Sequence, residues 1–326
     1  MRDKAPPVRR GAMSPAETLQ RRLERGEWVL LDGALGTELV RRGVRWRDHG
    51  LRLAPGAVQA LHEEYLLAGA DVIRTNTFQL NRRLYLNVFR DRAHMRRIGA
   101  PDLEERPVRL LEQAVALARA ARARVGRPEV AIAGVIGPLE HCFRPDLAPP
   151  ATVARAEHAE IAQTLAGAGV DLLLLESMNT LAEAMAALAA ARETGLPVWV
   201  SFVLGPEGDL LSGEPLAQAA QRVRREGAAA VLVNCAPPAD IGRAVGVLAA
   251  LGMRPIGAFA HIGRFDPPSW KFEFYPQFTG TEEWPPERYL AAARAWQAAG
   301  AQIIGGCCGT TPDHIRALRA GLEAAP

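Results

Sequence analysis

Several features are scarce in this chain of 326 residues, and each scarcity excludes a class of protein. No apolar run approaches the ~20 residues that a membrane-spanning helix requires, so we expect no membrane association. The stretch 1–26 is rich in Arg, Pro and Ala and lacks the apolar centre of a secretory signal. No Lys/Arg run is interleaved with aromatic residues, so nothing indicates a nucleic-acid partner. Lysine is confined to Lys4 and Lys271, which we attribute to compositional bias.

Cysteine is scarce as well. Four cysteines in a chain of this length do not make a disulfide framework, and a bond between the adjacent Cys307 and Cys308 would be strained. A reducing, cytoplasmic setting is therefore expected. The remaining composition, with 48% hydrophobic and 23% charged residues and a formal net charge of +3, is typical of a soluble globular protein.

What the sequence does contain is a regular alternation of short apolar runs and Ala/Leu-rich helical segments. Continuous apolar runs are typical of strands in a parallel sheet that is covered on both faces. Eight such units predict the α/β class and a (β/α)8 TIM-type barrel, with a doubly wound open sheet as the competing architecture. The runs are Trp28–Leu31, Asp71–Ile73, Val130–Ala133, Asp171–Leu175, Val198–Phe202, Ala230–Val233, Ile256–Phe259 and Gln302–Ile304.

The domain organisation follows from the same pattern. No linker divides the alternating units, so residues 27–326 are predicted to form a single barrel domain. Residues 1–26 precede it as an N-terminal segment that is either poorly ordered or a leading helix. Helical segments are predicted at Val58–Ala68, Pro107–Val125, Val153–Ala168, Leu181–Glu193, Leu216–Glu226, Ile241–Leu251, Pro286–Ala299 and Pro312–Leu322.

Polar residues collect directly after the predicted strands. Barrel enzymes build their sites from the C-terminal ends of strands, so these residues should meet at one rim. In chain order they are Asp32, Thr75-Asn76-Thr77, Gly134–Gly137, Glu176, Asn234-Cys235, His261 and Gly305–Gly309.

Three cysteines of this rim have the chemistry of a zinc site. Cys235 follows the sixth strand, and Cys307 and Cys308 follow the eighth within a glycine-rich loop. Zinc takes thiolate ligands in tetrahedral geometry, and a catalytic zinc leaves its fourth position open for substrate. A substrate thiol entering there would become a thiolate nucleophile. Free cysteines are otherwise small buried hydrophobes, and that interpretation is retained for Cys142.

Six segments carry a resemblance to a known family, in the same order along nearly the whole chain, from about Trp28 to Leu318. The sequence resembles the homocysteine S-methyltransferase family, which includes betaine- and S-methylmethionine-dependent enzymes and the homocysteine module of cobalamin-dependent methionine synthase. The segments are LLDGALGTEL, DVIRTNTF, GVIGP, GVDLLLLESMNTLAEA, VNCAPP and IIGGCCGTTPDHIRAL.

The resemblance implies roles for individual residues. Cys235, Cys307 and Cys308 match the family's zinc ligands. Asp32 and Glu176 match the carboxylates expected to hold the ammonium group of homocysteine, although either could instead be a capping or surface residue. The backbone at Gly33 and Ala34 would donate to the substrate carboxylate, Thr77 belongs to the same substrate set, and Asn234 would fix substrate or ligand geometry.

The implied activity is zinc-dependent transfer of a methyl group from a small onium donor, similar to S-methylmethionine, to homocysteine, forming methionine. The loops GPLEHCF and AHIGRFDPPSWKFEFYPQF depart from the family pattern, so the donor stays open. Alternatives are betaine, or methylcobalamin on a separate corrinoid protein. A selenol or another thiol is a further possible acceptor, and a non-catalytic zinc or thiol sensor is the alternative of another class. The aromatic loop Trp270–Phe278 would hold a cationic donor or simply pack over the barrel, and the oligomeric state is not indicated.

Overall fold

The computed structural model describes residues 13–45, 48–87, 92–97, 102–266 and 277–322. Its strands are short, and those of the main sheet are buried along their whole length. They are β1 (Val29–Leu30), β2 (Val72–Arg74), β3 (Ala131–Ile136), β4 (Leu172–Met178), β5 (Val198–Val203), β6 (Ala230–Asn234), β7 (Ile256–Phe259), β8 (Arg264–Asp266), β9 (Gln277–Thr279) and β10 (Ile303–Ile304).

Eight of these strands form one parallel sheet in the order β1-β10-β7-β6-β5-β4-β3-β2. A parallel bridge between Leu31 and Val72 joins the two outer strands, so the sheet closes on itself. The expected (β/α)8 barrel is therefore confirmed, and all eight predicted apolar runs are strands of it. The hairpin β8–β9 was not predicted; it lies outside the barrel, in the long connection after β7.

Helices surround the barrel, and all eight predicted helical segments are present as α3 and α6–α12. Several begin with proline in the first turn, where the missing N–H costs no hydrogen bond. The helices are α1 (Pro15–Glu24), α2 (Gly36–Arg41), α3 (Pro55–Leu67), α4 (Arg82–Asn87), α5 (Arg92–Arg97), α6 (Arg106–Val125), α7 (Ala151–Ala168), α8 (Leu181–Arg192), α9 (Leu216–Arg225), α10 (Pro238–Ala250), α11 (Pro286–Ala298) and α12 (Pro312–Gly321). No helix within the described ranges is long and apolar enough to cross a membrane.

Helix α1 covers the N-terminal end of the barrel. Its buried Leu19 and Leu23 pack into the same apolar cluster as the inward-facing side chains of the strands. The helix starts with a capping box, in which Ser14 and Glu17 each bond the backbone N–H of the other. The Gln302 side chain, next to β10, donates to the Leu23 carbonyl at 2.8 Å. One end of the barrel is thereby closed by the chain that precedes the first strand.

An aspartate immediately before β2 fastens that same end. Asp71 Oδ2 accepts from the Leu30 backbone N–H at 2.8 Å and from Arg319 at 2.6 Å, and Oδ1 accepts from Arg22 at 3.0 Å. Arg22 lies in α1 and Arg319 in α12. One half-buried carboxylate thus ties the first two strands to the first and last helices.

Candidate active site

The three predicted zinc ligands meet at the opposite, C-terminal end of the barrel. The sulfur atoms of Cys235, Cys307 and Cys308 all lie within 4.8 Å of one another, and those of Cys235 and Cys308 are 4.0 Å apart. Thiolates bound tetrahedrally at the usual ~2.3 Å zinc–sulfur distance are separated by about 3.8 Å. The sulfur triangle is therefore close in size to the three-thiolate face of a tetrahedral metal site.

Close backbone packing holds the loop that carries two of these cysteines. The Cys307 N–H donates to Ala260 at 2.9 Å, and the Gly306 N–H donates to the Asp32 carbonyl at 3.1 Å. A Cβ at Gly306 would collide with the Thr310 side chain, whose hydroxyl donates to the Cys307 carbonyl at 2.7 Å. The glycine thus allows the loop to fold tightly enough to direct both sulfurs inward.

One of the three sulfurs, that of Cys307, lies in an environment that favours a thiolate. Hydrogen bonds from Cys235 and Cys308 lower the pKa of the Cys307 thiol well below its ordinary value, and the positive charge of Arg74 acts in the same direction. Cys235 and Cys307 are buried, and Cys308 is half-buried at the cavity. Because thiolates are the form that binds metal, this environment suits a cation.

An arginine that sequence analysis assigned no role lies between the two predicted carboxylates. Arg74, the last residue of β2, donates through Nε to Asp32 Oδ1 at 2.6 Å and through its backbone N–H to Asp32 Oδ2 at 2.8 Å. Its Nη1 donates to Glu176 Oε2 at 3.1 Å. Its Nη2 donates to the carbonyls of Gly33 at 2.8 Å and Gly306 at 2.7 Å. The guanidinium therefore joins the ends of β1 and β4 to the cysteine loop.

Arg74, Glu176 and the three cysteines border a cavity of about 720 Å³ at the mouth of the barrel. Of the predicted substrate residues, Gly33, Ala34 and Glu176 line it. Burial raises the pKa of the Glu176 carboxyl to about 7, against the attraction of Arg74. The Ala34 N–H donates to the Thr310 hydroxyl at 3.2 Å, so a substrate carboxylate would have to compete for it.

The other three predicted substrate residues lie behind the cavity wall. Asp32, Thr77 and Asn234 are at most 1% exposed, and none of them lines the cavity. The Thr77 hydroxyl donates to the Val135 carbonyl at 2.7 Å, which fixes the end of β3. These three residues are therefore placed to hold the groups that face the cavity, and not to contact a ligand directly.

Asn234 illustrates this support. Its Oδ1 accepts from the Ser177 N–H at 3.2 Å and from the Ser201 hydroxyl at 2.6 Å, and its Nδ2 donates to the Ser177 hydroxyl at 2.7 Å. Ser177 and Cys235 both have positive φ, 59° and 54°, which is uncommon for residues other than glycine. Asn234 thus secures the strained turns that aim Glu176 and Cys235.

Two other residues of the cavity wall received no site role from the sequence. Cys142 is half-buried there, and burial raises the pKa of its thiol to about 12. Arg74 had a visible signal, since an arginine at the end of an apolar strand in DVIRTNTF must be paired if it is buried. The aromatics Trp270 to Tyr275 lie outside the described residues; of the loop's aromatic residues only Phe278 is described, with its ring 6.2 Å from that of His261.

Comparison with known proteins identifies the family. The profile described as homocysteine S-methyltransferase matches residues 29–322. The chain belongs to this family. Homocysteine S-methyltransferase YbgG of Bacillus subtilis is 29% identical, with 90% of this chain and 93% of YbgG covered. The S-methylmethionine–homocysteine S-methyltransferase BHMT2 of rat is 29% identical over 91% of this chain and 79% of its own length.

A solved structure agrees with these relatives. The metallated form of the homocysteine methyltransferase MmuM from Escherichia coli has a TM-score of 0.73 and 26% identity, covering 94% of this chain and 99% of that one. The family expectation is therefore confirmed. As a member of the homocysteine S-methyltransferase family, the chain is an enzyme that transfers a methyl group to homocysteine.

Proposed function

We propose that this homocysteine S-methyltransferase uses a zinc ion held by Cys235, Cys307 and Cys308, and takes its methyl group from a small sulfonium donor similar to S-methylmethionine. The observation that carries the proposal is the sulfur triangle, which matches a tetrahedral zinc site and opens onto the cavity. A zinc ion there would keep the thiol of homocysteine ionised at neutral pH.

The amino-acid part of homocysteine would lie along the wall beside the cysteines. Glu176 faces the cavity and would accept from the substrate ammonium group, and Asp32 adds negative charge from behind. Backbone N–H groups near Gly33 and Ala34 would receive the carboxylate. Thr77 and Asn234 would hold the strand ends in place. Substrate position, together with an ionised sulfur, would then supply most of the rate enhancement.

The proposed chemistry is a direct displacement without a covalent enzyme intermediate. The homocysteine sulfur forms a bond to the donor methyl carbon, and the electron pair of the broken bond returns to the sulfonium sulfur. Methionine and a neutral thioether are the products. Three aromatic side chains that line the cavity suit a cationic donor, because the faces of aromatic rings attract cations; they are Phe78, Tyr85 and Phe143.

The reaction mixture that tests this proposal contains zinc-loaded protein, homocysteine and S-methylmethionine, with no corrinoid. We expect methionine to form with the intact protein and not with the Cys307→Ala variant, whose zinc site lacks one ligand. Methionine from betaine alone would move the donor to the quaternary ammonium class. Methionine only after addition of a methylated corrinoid protein would require that partner. Homocysteine binding without turnover from any donor would leave a thiol-binding sensor as the function.

The cellular location that we propose follows from the same three cysteines. Three reduced cysteines at a metal site persist best where cellular thiols keep them reduced, so we propose the cytoplasm as the place of action.

A further inference from the structure

Two carboxylates border the amino-acid side of the site, but their surroundings differ. Both oxygens of Asp32 accept from Arg74, and the residue is 0% exposed. Glu176 receives one bond from Arg74 on Oε2 at 3.1 Å, and its Oε1 has no hydrogen-bond partner among the described residues. Both oxygens of Asp32 are therefore occupied within the protein, whereas Glu176 keeps an acceptor oxygen available at the cavity wall.

The same guanidinium also reaches the cysteine loop. Its Nη2 donates to the carbonyl of Gly306, the residue before Cys307, and to that of Gly33. The Arg74 side chain is 6% exposed, and its guanidinium lies 5.0 Å from the centre of the Phe259 ring. These contacts leave it little freedom to move. One planar, always-charged group thus spans the distance between the sulfur-binding and ammonium-binding points.

We propose that Arg74 is a positioning residue that selects amino-acid thiols: it occupies both oxygens of Asp32, leaves Oε1 of Glu176 open to the substrate ammonium group, and fixes Glu176 relative to the Cys307 loop. This inference rests on the proposed function, since it assumes that the acceptor sulfur binds at the cysteine cluster. It adds that an acceptor is recognised by the spacing between its thiol and its ammonium group. A thiol without an ammonium group would gain nothing from that spacing.

The conservative variant Arg74→Lys tests this role. Lysine keeps one positive charge, but it lacks the planar fork that serves a carboxylate and two carbonyls at once. The affinities of two thiols would be compared: homocysteine, and 4-sulfanylbutanoate, which lacks the amino group. Both would be titrated into cobalt-loaded protein, because thiolate coordination to Co(II) changes its absorption spectrum without any methyl donor. The readout is therefore independent of turnover.

We expect Arg74→Lys to weaken homocysteine binding by about tenfold or more, the loss of a charge-assisted contact, and to change 4-sulfanylbutanoate binding by less than about threefold. The matched control is Arg122→Lys at the other end of the barrel. Arg122 also pairs with an aspartate that is half-buried, Asp171, at 2.7 Å, and donates to the Val130 carbonyl at 2.9 Å. That variant should leave both affinities unchanged.

Equal weakening of both thiols by Arg74→Lys would overturn the inference, because the arginine would then only hold the cysteine loop. If Arg74→Lys does not fold, the double variant Asp32→Asn/Arg74→Gln removes one charge of each sign and keeps Glu176. It should show the same selective loss, and equal affinities to wild type would again contradict the proposal. If neither thiol changes the spectrum of the wild-type protein, the proposed function itself fails.

Discussion

Each end of the barrel contains a carboxylate paired with arginine, but the pKa of the carboxylate shifts in opposite directions at the two ends. At the N-terminal end burial would raise the pKa of Asp71, but Arg22, Arg319 and the Leu30 N–H outweigh it, and the pKa is lowered. At the C-terminal end burial dominates over Arg74, and the pKa of Glu176 rises to about 7. The partners of Asp71 therefore outweigh the cost of burying its charge, whereas the single arginine partner of Glu176 does not.

The difference separates the work of the two ends. Asp71 fastens strands and helices, and its bonds are complete in the folded chain. Glu176 has one cationic contact and faces a cavity, so an additional cation would stabilise its charged form. A carboxylate that is undercompensated in the free protein is suited to receive a charged substrate. Each prediction below concerns a substitution that removes one interaction at one end of the barrel.

The largest effect is expected from Cys235→Ala. Removing one of three thiolates should lower zinc occupancy sharply and reduce methyl transfer by about 1,000-fold or more, because the acceptor thiol would stay largely protonated. Zinc content per chain and the rate of methionine formation measure this. Cys142→Ala is the matched control, since Cys142 lines the cavity but is not part of the sulfur triangle. Full zinc occupancy in Cys235→Ala would contradict the ligand assignment.

The next largest effect is expected at the N-terminal end of the barrel, for the variant Asp71→Asn. Removing the charge of this half-buried carboxylate should cost about 2 kcal/mol of unfolding free energy, as for loss of a hydrogen-bonded charged group, while the KM for homocysteine should not change. A lowered folded pKa means that this stability is present above pH 3.8 and is lost as the pH falls through the folded value. Urea denaturation of both proteins between pH 3 and 8 measures the difference. A constant difference down to pH 3 would argue against a charged Asp71.

Glu176→Gln should separate binding from stability. We expect the KM for homocysteine to rise about 10- to 100-fold, as for loss of a charged hydrogen-bond partner. In the free protein, by contrast, the substitution should increase stability at high pH. The raised folded pKa means that the contribution of Glu176 to stability is fully present below pH 4.5 and is lost as the pH rises through about 7. The variant should therefore unfold at higher urea than wild type at pH 8.

The contradicting result for Glu176→Gln is an unchanged KM. The pH dependence adds a second check, because homocysteine affinity in the wild-type protein should increase as the pH rises through about 7. Ionisation of the substrate thiol also contributes, so the comparison is with the variant, which should lack the part due to Glu176.

The smallest effect is expected where the N-terminal helix begins. Ser14→Ala removes one half of the capping box and should cost about 1 kcal/mol of stability. Helix α1 covers the barrel end remote from the cavity, so kcat and KM should stay at wild-type values. Thermal unfolding and steady-state kinetics test both statements, and altered kinetics would connect the two ends.

Much of this arrangement could be predicted from the sequence. Buried parallel strands are continuous apolar runs, so their order and ends were visible, and Cys235 and Cys307 could be assigned to one rim. The role of Arg74 could not be predicted, because its partners are 42, 102 and 232 residues away along the chain. The direction in which a strand-end side chain points could not be predicted from the sequence either. Asp32 and Glu176 both follow the pattern of strand-end carboxylates, yet only Glu176 reaches the cavity.

The most direct test of the central claim is zinc X-ray absorption spectroscopy on the loaded protein, before and after addition of homocysteine. We expect three sulfur neighbours at about 2.3 Å and one lighter atom in the free protein, and four sulfurs once homocysteine binds. Three sulfurs that remain three with saturating homocysteine would contradict the account, because the acceptor thiol would then not meet the metal at this site.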